Sequence, residues 1–395
     1  MKKYLVCILV LGTLMASAQN AMSIATPKLA KFISNEELCG SDGRSFYYLR
    51  FKEGSLNPYK DPTIDKVRIS DMAIELTKEL ELADKQKAEK VLFIKRKPIL
   101  ITYNYKKGVR STYACIMNES LNCEATLLID EAPDVSGNTF NTVCTAYTAE
   151  SSKFILYRFE PFEKGNDNVK IVYKVFDEQL KALRTGGFTL PNFDKEYYVK
   201  RMVIDEKGNL FFLSPSLTAE KVKRAYGVFA YDMEKGKLYQ GNTTLADLNF
   251  FDFEIALAGD KLVLAGLYSS QKHKSSCQRR IEGCLIVQFN KSDMSVVKRT
   301  QSDFTKIIDE NKLCSFTLKR VFLHNNSIKV ISEYEIHEAT KQAVYRQYGP
   351  IVVSDFSMSG NANWNAVIPE EQVDLFELHV VIRFNDVRRK FVLCL

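Results

Sequence analysis

The chain is poor in the residues on which most chemistry is built. Histidine occurs four times, at His273, His324, His337 and His379, and tryptophan once, at Trp364. No histidine has a second His, Cys or carboxylate at metal-ligand spacing, so no metal site is expected. There is no Gly-x-Ser-x-Gly elbow, no phosphate-binding loop and no dinucleotide fingerprint, and no cofactor is expected either. Ten prolines and 18 glycines in 395 residues are too few for a low-complexity or collagen-like chain. The 55 basic residues are balanced by 48 acidic ones, a formal charge of +7. The densest basic runs, residues 85–97 and 272–280, are not interleaved with aromatics, which argues against a nucleic-acid partner.

Long apolar runs are also missing, with one short exception. Lys2 and Lys3 precede an apolar stretch over residues 5–15, and Ala16-Ser17-Ala18 supplies the small residues a signal peptidase reads. That stretch is too short for a membrane span, and no later segment is long enough, so no transmembrane segment is expected. The reading is a signal peptide over residues 1–18, cleaved near Ala18/Gln19, with export to the periplasm or the cell exterior. Cys7 leaves with the signal, and eight cysteines remain. Cys115 and Cys123 flank one hairpin turn and Cys277 and Cys284 bracket another, which makes them the candidate disulfides in an oxidising compartment.

What is abundant is strand-forming: 46% hydrophobic residues, with 19 Tyr and 25 Phe. Residues 198–245 read as four short strands separated by turns, including Asp205-Glu206-Lys207-Gly208-Asn209. A β-rich run closed by Asp or Asn and followed by another strand recurs at Asp71, Asn118, Asp177, Asp232, Asn290 and Asp355, at a step of about sixty residues. An Asp or Asn at the first position of a turn accepts a backbone N–H two residues on, so these marks read as hairpin fasteners rather than metal ligands.

On these turns and marks the chain resembles bacterial secreted β-propeller proteins, over about residues 46–395, without the signature of any characterised functional family. The resemblance implies an all-β propeller. Residues 19–45 read as an irregular arm before a single domain at 46–395, and residues 83–90 as a linker. Six four-stranded blades, closed by pairing the N- and C-terminal strands in one of them, fit the marks best; seven blades or an incomplete ring is the alternative.

Propellers that act on sugars or lactones line the tunnel with residues of each blade's first strand. Here those strands offer Arg201, Asp252, Glu254, Lys319 and Arg320. Asp252 and Glu254 read as sharing one strand face and are the candidate catalytic carboxylates; no binding residue can be singled out. The leading reading is an exported, non-catalytic binding or scaffold protein that recognises a carbohydrate or protein ligand through loops on one face. The competing reading is a carbohydrate- or lactone-directed hydrolase or lyase.

Overall fold

A computed structural model describes residues 22–24, 35–51, 62–83, 85–133, 144–147, 152–160, 168–191, 201–217, 224–241, 249–270, 280–324, 326–339, 344–369, 372–374, 381–386 and 389–394. The expected signal peptide lies outside them. Among the described residues the structure is all-β, apart from one 3-10 turn at Glu310–Lys312. No described helix is long and apolar enough to cross a membrane.

Six four-stranded antiparallel sheets follow one another along the chain as the blades of a β-propeller. Blade 1 comprises Asn35–Ser41, Ser45–Phe51, Thr63–Arg68 and Ile74–Glu79. Blade 2 comprises Lys87–Ile94, Lys97–Lys106, Val109–Met117 and Cys123–Pro133. Blade 3 is built from Cys144–Tyr147, Lys153–Phe159, Val169–Asp177 and Ala182–Leu190. Blade 4, the unit most legible in the sequence, has Arg201–Ile204, Leu210–Leu217, Arg224–Asp232 and Lys237–Gly241. Blade 5 has Asn249–Ala258, Lys261–Ser269, Gly283–Asn290 and Val296–Asp303. Blade 6 has Phe316–His324, Ser327–Ala339, Val344–Ser357 and Ala362–Ile368, with Gln372–Asp374 added beside its third strand. In each blade the fourth strand is the exposed one, and the first strands of successive blades approach one another, so the first strand is innermost.

Blade 1 is complete without the chain ends, and this corrects the expected closure. Its inner strand begins with Asn35, Glu36 and Glu37, a polar start that hides it in what reads as an irregular arm. The putting together of the two ends does occur, but in a separate three-stranded sheet: Met22–Ile24 pairs antiparallel with Val381–Asp386, which pairs with Arg389–Cys394. The second half of the supposed linker at 83–90 is likewise strand. Lys87–Ile94 is the inner strand of blade 2, its charged half obscuring the apolar Val91-Leu92-Phe93-Ile94.

Middle strands are buried on both faces, so alternate residues serve two different seams between blades. In blade 3, Phe154 and Leu156 join the core shared with blade 2, while Ile155, Tyr157 and Phe159 join the core shared with blade 4. In blade 4, Leu210 and Phe212 face blade 3, and Phe211 and Leu213 face blade 5. The same division gives the seams between blades 1 and 2 and between blades 5 and 6. The two outer faces of the series carry only small clusters: Phe46, Tyr48 and Val67 on blade 1, and Ile331, Ile351, Val353 and Ile368 on blade 6.

The Asp/Asn marks lie in the turns between third and fourth strands. Asp177 Oδ1 accepts the N–H of Gln179 at 3.0 Å and of Lys181 at 2.9 Å, and Asn118 Oδ1 those of Ser120 and Asn122, both at 3.1 Å. Asp232 accepts from Glu234 and Lys235, and Asp71 from Ala73. Two marks differ. In blade 5 the turn N–H of Ser295 goes to Asp293, and Asn290 bonds the Ser295 hydroxyl instead. In blade 6 Ser357 takes the fastening role, and Asp355 is buried against the Lys329 ammonium at 2.8 Å.

Each turn also inserts an apolar side chain into the seam with the preceding blade. Leu121 and Leu180 sit at φ +60° and +66° and are buried in the 1/2 and 2/3 seams. Met233, Met294 and Met358 do the same for the 3/4, 4/5 and 5/6 seams, and Met72 packs on the outer cluster of blade 1. A left-handed conformation costs a leucine about 1–2 kcal/mol. Burying its side chain returns about 1.5–3 kcal/mol, so burial decides the residue.

Cys115 and Cys123 form a disulfide across the third and fourth strands of blade 2, with Cα atoms 5.7 Å apart. Cys284 carries a free, buried thiol pushed up to about 12 by burial, so the second expected pair is absent there. Its expected partner Cys277 lies outside the described residues.

Two expectations follow. Replacing Asp177 with Ala should cost about 1–2 kcal/mol in urea unfolding, because two turn N–H groups lose their acceptor; an unchanged midpoint would contradict the fastening role. The terminal sheet is contributed by segments directly before blade 1 and directly after blade 6, whose outer-face clusters are buried. Deleting residues 376–395 should therefore lower Tm by at least about 5 °C or cause aggregation, whereas a truncation as stable as the parent would show that the terminal sheet contributes nothing.

Candidate functional site: the inner strands at the long-loop end

In a four-stranded meander the first and third turns lie at one end, and the middle connection and the link to the next blade lie at the other. Here the first kind are short, such as 95–96 and 259–260, whereas the second kind include 52–62, 160–168 and 270–282. Inner strands begin at this long-loop end.

Arg201, the first residue of blade 4's inner strand, places its Nε 2.9 Å from Glu254 Oε1 on the inner strand of blade 5. Asp252 lies two residues away but does not share a face with Glu254. The strand is irregular between Phe251 and Glu254, and Asp252 takes φ +46°. Its Oδ2 accordingly turns the other way and accepts the backbone N–H of Leu318 in blade 6 at 2.5 Å. The two carboxylates expected to act as a pair thus stitch blade 5 to its two different neighbours. Regular alternation predicts a shared face; the bulge removes it.

A carboxylate pair does occur nearby, on residues the sequence reading passed over. Lys319, on the inner strand of blade 6, lies 3.1 Å from Glu333 Oε2 and hydrogen-bonds Glu335 Oε2. Thr317 Oγ1 also donates to Glu335, at 3.3 Å, and Lys319 sits 5.9 Å from the Tyr348 ring. Burial pushes the Glu333 carboxyl above its ordinary range. Burial works against the Lys319 ammonium, yet Glu335 and Glu333 hold it above its usual value. The signal for this pair was a carboxylate at every second position in an otherwise apolar strand, Ile331-Ser332-Glu333-Tyr334-Glu335-Ile336.

Blade 2 carries a second cluster. Arg110 donates to Glu89 at 2.7 Å and lies over the Tyr103 ring at 4.5 Å, with Tyr105 at 5.9 Å. Tyr105 is exposed and the guanidinium is buried. On the blade 3 inner strand, burial raises the Cys144 thiol, and Cys144 hydrogen-bonds Tyr157, whose hydroxyl burial also raises. Tyr47 and Tyr48 are packing residues, Tyr47 against Phe93 with ring centroids 4.8 Å apart. Among the described residues no three His, Cys, Asp or Glu side chains are grouped to hold a metal ion. Tyr197, Tyr198, His273 and His379 lie outside the described residues.

No protein-family model and no curated protein matches the chain. Solved structures do. The β-propeller domain of the Trilobed protease from Pyrococcus furiosus aligns at a TM-score of 0.42 and 11% identity, covering 91% of this chain and 96% of that one. A Synechocystis apocarotenoid oxygenase aligns at 0.44 and 9%, covering 94% and 91%. An acylaminoacyl peptidase of Pyrococcus horikoshii aligns at 0.42 and 12%, covering 94% of this chain and 57% of the peptidase. At such identities the likeness extends to no residue of the inner strands.

The Lys319 cluster has a test with a definite sign. In K319M, Glu333 and Glu335 lose their cation, and breaking such a part-buried pair costs about 3–5 kcal/mol at pH 7. Glu333 already holds its proton more tightly when folded than its ordinary value of 4.5, and loss of Lys319 strengthens that hold. Protonation then favours the folded state, so the deficit should shrink as pH falls from 7 towards 5. Urea midpoints at the two pH values check this; an equal deficit at both would contradict the arrangement.

Proposed function

We propose that the protein is an exported, non-catalytic binding or scaffold module that recognises a carbohydrate or protein ligand at its long-loop end. The observation that carries this reading is that the carboxylates on and beside the inner strands already have partners within the scaffold. Glu254 is held by Arg201, Asp252 by the Leu318 N–H, Glu333 and Glu335 by Lys319, and Glu89 by Arg110. A general acid or base has to exchange its proton with substrate. Carboxylates held by fixed scaffold groups, across a blade seam for Asp252 and Glu254 and within one blade for Glu89, Glu333 and Glu335, serve the scaffold instead. Variable loops on a rigid frame are where a repeat protein places recognition. Export rests on the basic, apolar and small-residue order of residues 2–18, and a partner outside the cell fits that address.

One observation favours the second reading, a carbohydrate- or lactone-directed hydrolase or lyase. Glu333 is buried and raised beside a second carboxylate, the environment in which a glutamic acid acts as a proton donor. The two readings separate in one experiment. Residues 19–395 are applied to glycan and peptide arrays and to a panel of chromogenic glycosides and lactones. Array binding without turnover is the expected result. Turnover that is abolished in E333Q would overturn the non-catalytic reading.

A further inference from the structure

Outside the inner strands, a cleft of about 290 Å³ opens between the outer strand of blade 2 and the sheet of blade 3. Its residues lie in the half of each strand nearest the long-loop end. The twin glycines Gly186-Gly187, which read as a bulge or turn, pair in regular register with Tyr173 and Val172. Their lack of side chains has a spatial cause. A Cβ on Gly186 would come within 2.5 Å of the Tyr173 hydroxyl, and one on Gly187 within 2.9 Å of the Ile171 carbonyl oxygen. Gly187 thus leaves the cleft with a bare backbone floor.

At the other wall Asp130 is 95% buried (5% exposed). Its Oδ1 is held by Lys174 Nζ at 2.7 Å, and Lys174 also donates to the Ile129 carbonyl at 3.2 Å. Its Oδ2 is buried with no hydrogen-bond partner. The nearest cation to that oxygen, Arg158 Nε, stands 3.8 Å away, beyond hydrogen-bonding distance. Leaving a buried carboxylate oxygen unmet is costly, and Asp130 lines the cleft, so a ligand donor that reaches this oxygen is favoured. Lys170 and Thr185 complete the polar lining.

The charges narrow the ligand. Arg158 and Lys174 face Asp130, and Lys170, which also lines the cleft, is paired with Glu160 at 3.1 Å, which leaves one positive charge in excess. The guanidinium fork suits a carboxylate. A neutral donor suits Asp130 Oδ2, because Lys174 and Arg158 already stand against this carboxylate; a hydroxyl fits better than an ammonium. A phosphate dianion would bring two negative charges against the Asp130 carboxylate where only one positive charge is in excess. The volume is at the lower limit of small-molecule sites, enough for one ring and not for an oligomer.

We infer that the cleft between blades 2 and 3 binds a single anionic sugar residue of the hexuronate class, its carboxylate on Arg158, a ring hydroxyl on Asp130 and its ring over Gly187. This rests on the binding reading above and adds a site and a ligand class to it. Calorimetric and ligand-observed NMR titrations of residues 19–395 with sodium glucuronate and sodium galacturonate test it, with glucose, galactose, acetate and inorganic phosphate as controls. At least one uronate should bind at least tenfold more tightly than its neutral sugar and than acetate or phosphate. R158Q and D130N should each weaken it at least tenfold, with Tm confirming that both variants are folded. Phosphate or acetate binding as well as the uronates, or uronate binding unchanged in R158Q, would overturn the assignment. If neither uronate binds while the parent still captures an array ligand, the cleft assignment falls and the binding reading stands. If neither uronate nor array ligand binds, both fall.

Discussion

Burial of every middle strand on both faces is the constraint on which this structure depends. A single four-stranded sheet cannot cover itself, and each blade here is complete only when its two neighbours are in place. Phe211 and Phe212 show the consequence at one step of the chain: adjacent residues, both fully buried, belonging to different cores. The strength of the ring is therefore set by its seams, and the seams are unequal. Aromatic residues fill the one between blades 3 and 4, where Phe188 stacks on Tyr231 and Phe212 on Phe229. The outer faces of blades 1 and 6 have clusters of only three and four buried apolar residues among those described.

The same constraint explains the turns. An Asp or Asn that fastens a hairpin is a local device, and it is legible in the sequence because the side chain and the N–H groups it binds lie within four residues. The buried Leu or Met in the same turn is written in the sequence too, at Met72, Leu121, Leu180, Met233, Met294 and Met358. Its meaning depends on a neighbouring blade, however, and a reading that lays one unit over another does not contain the neighbour. Blade 1 is obscured for a related reason. Its inner strand opens Asn35-Glu36-Glu37, and polar inner strands are what a propeller places around its axis, where periodicity gives no warning.

Candidate site residues divide in the same way. Arg201, Asp252, Glu254, Lys319 and Arg320 all lie on inner strands, as their positions in the repeat indicate. Which of them meet was not legible, because the partners come from different blades and because one bulge at Asp252 reverses the direction of a side chain. Glu333 and Glu335 were visible only as charges in an apolar strand. Gly186-Gly187 carried a spatial requirement that resembles a turn signal until the Tyr173 ring is in view. In this chain the fold follows from local chemistry repeated six times, and the particular features arise where two blades touch.

Seam strength as the organising quantity can be measured directly by native-state hydrogen exchange with mass spectrometry on residues 19–395. The amides of the second strands of blades 3, 4 and 5, each between two filled seams, should exchange slowest, through global unfolding. Those of residues 45–51 in blade 1 and 351–357 in blade 6, each with one sparse face, should exchange at least tenfold faster through sub-global opening. Uniform protection across the six blades, or greater protection of blades 1 and 6 than of blade 4, would contradict the account.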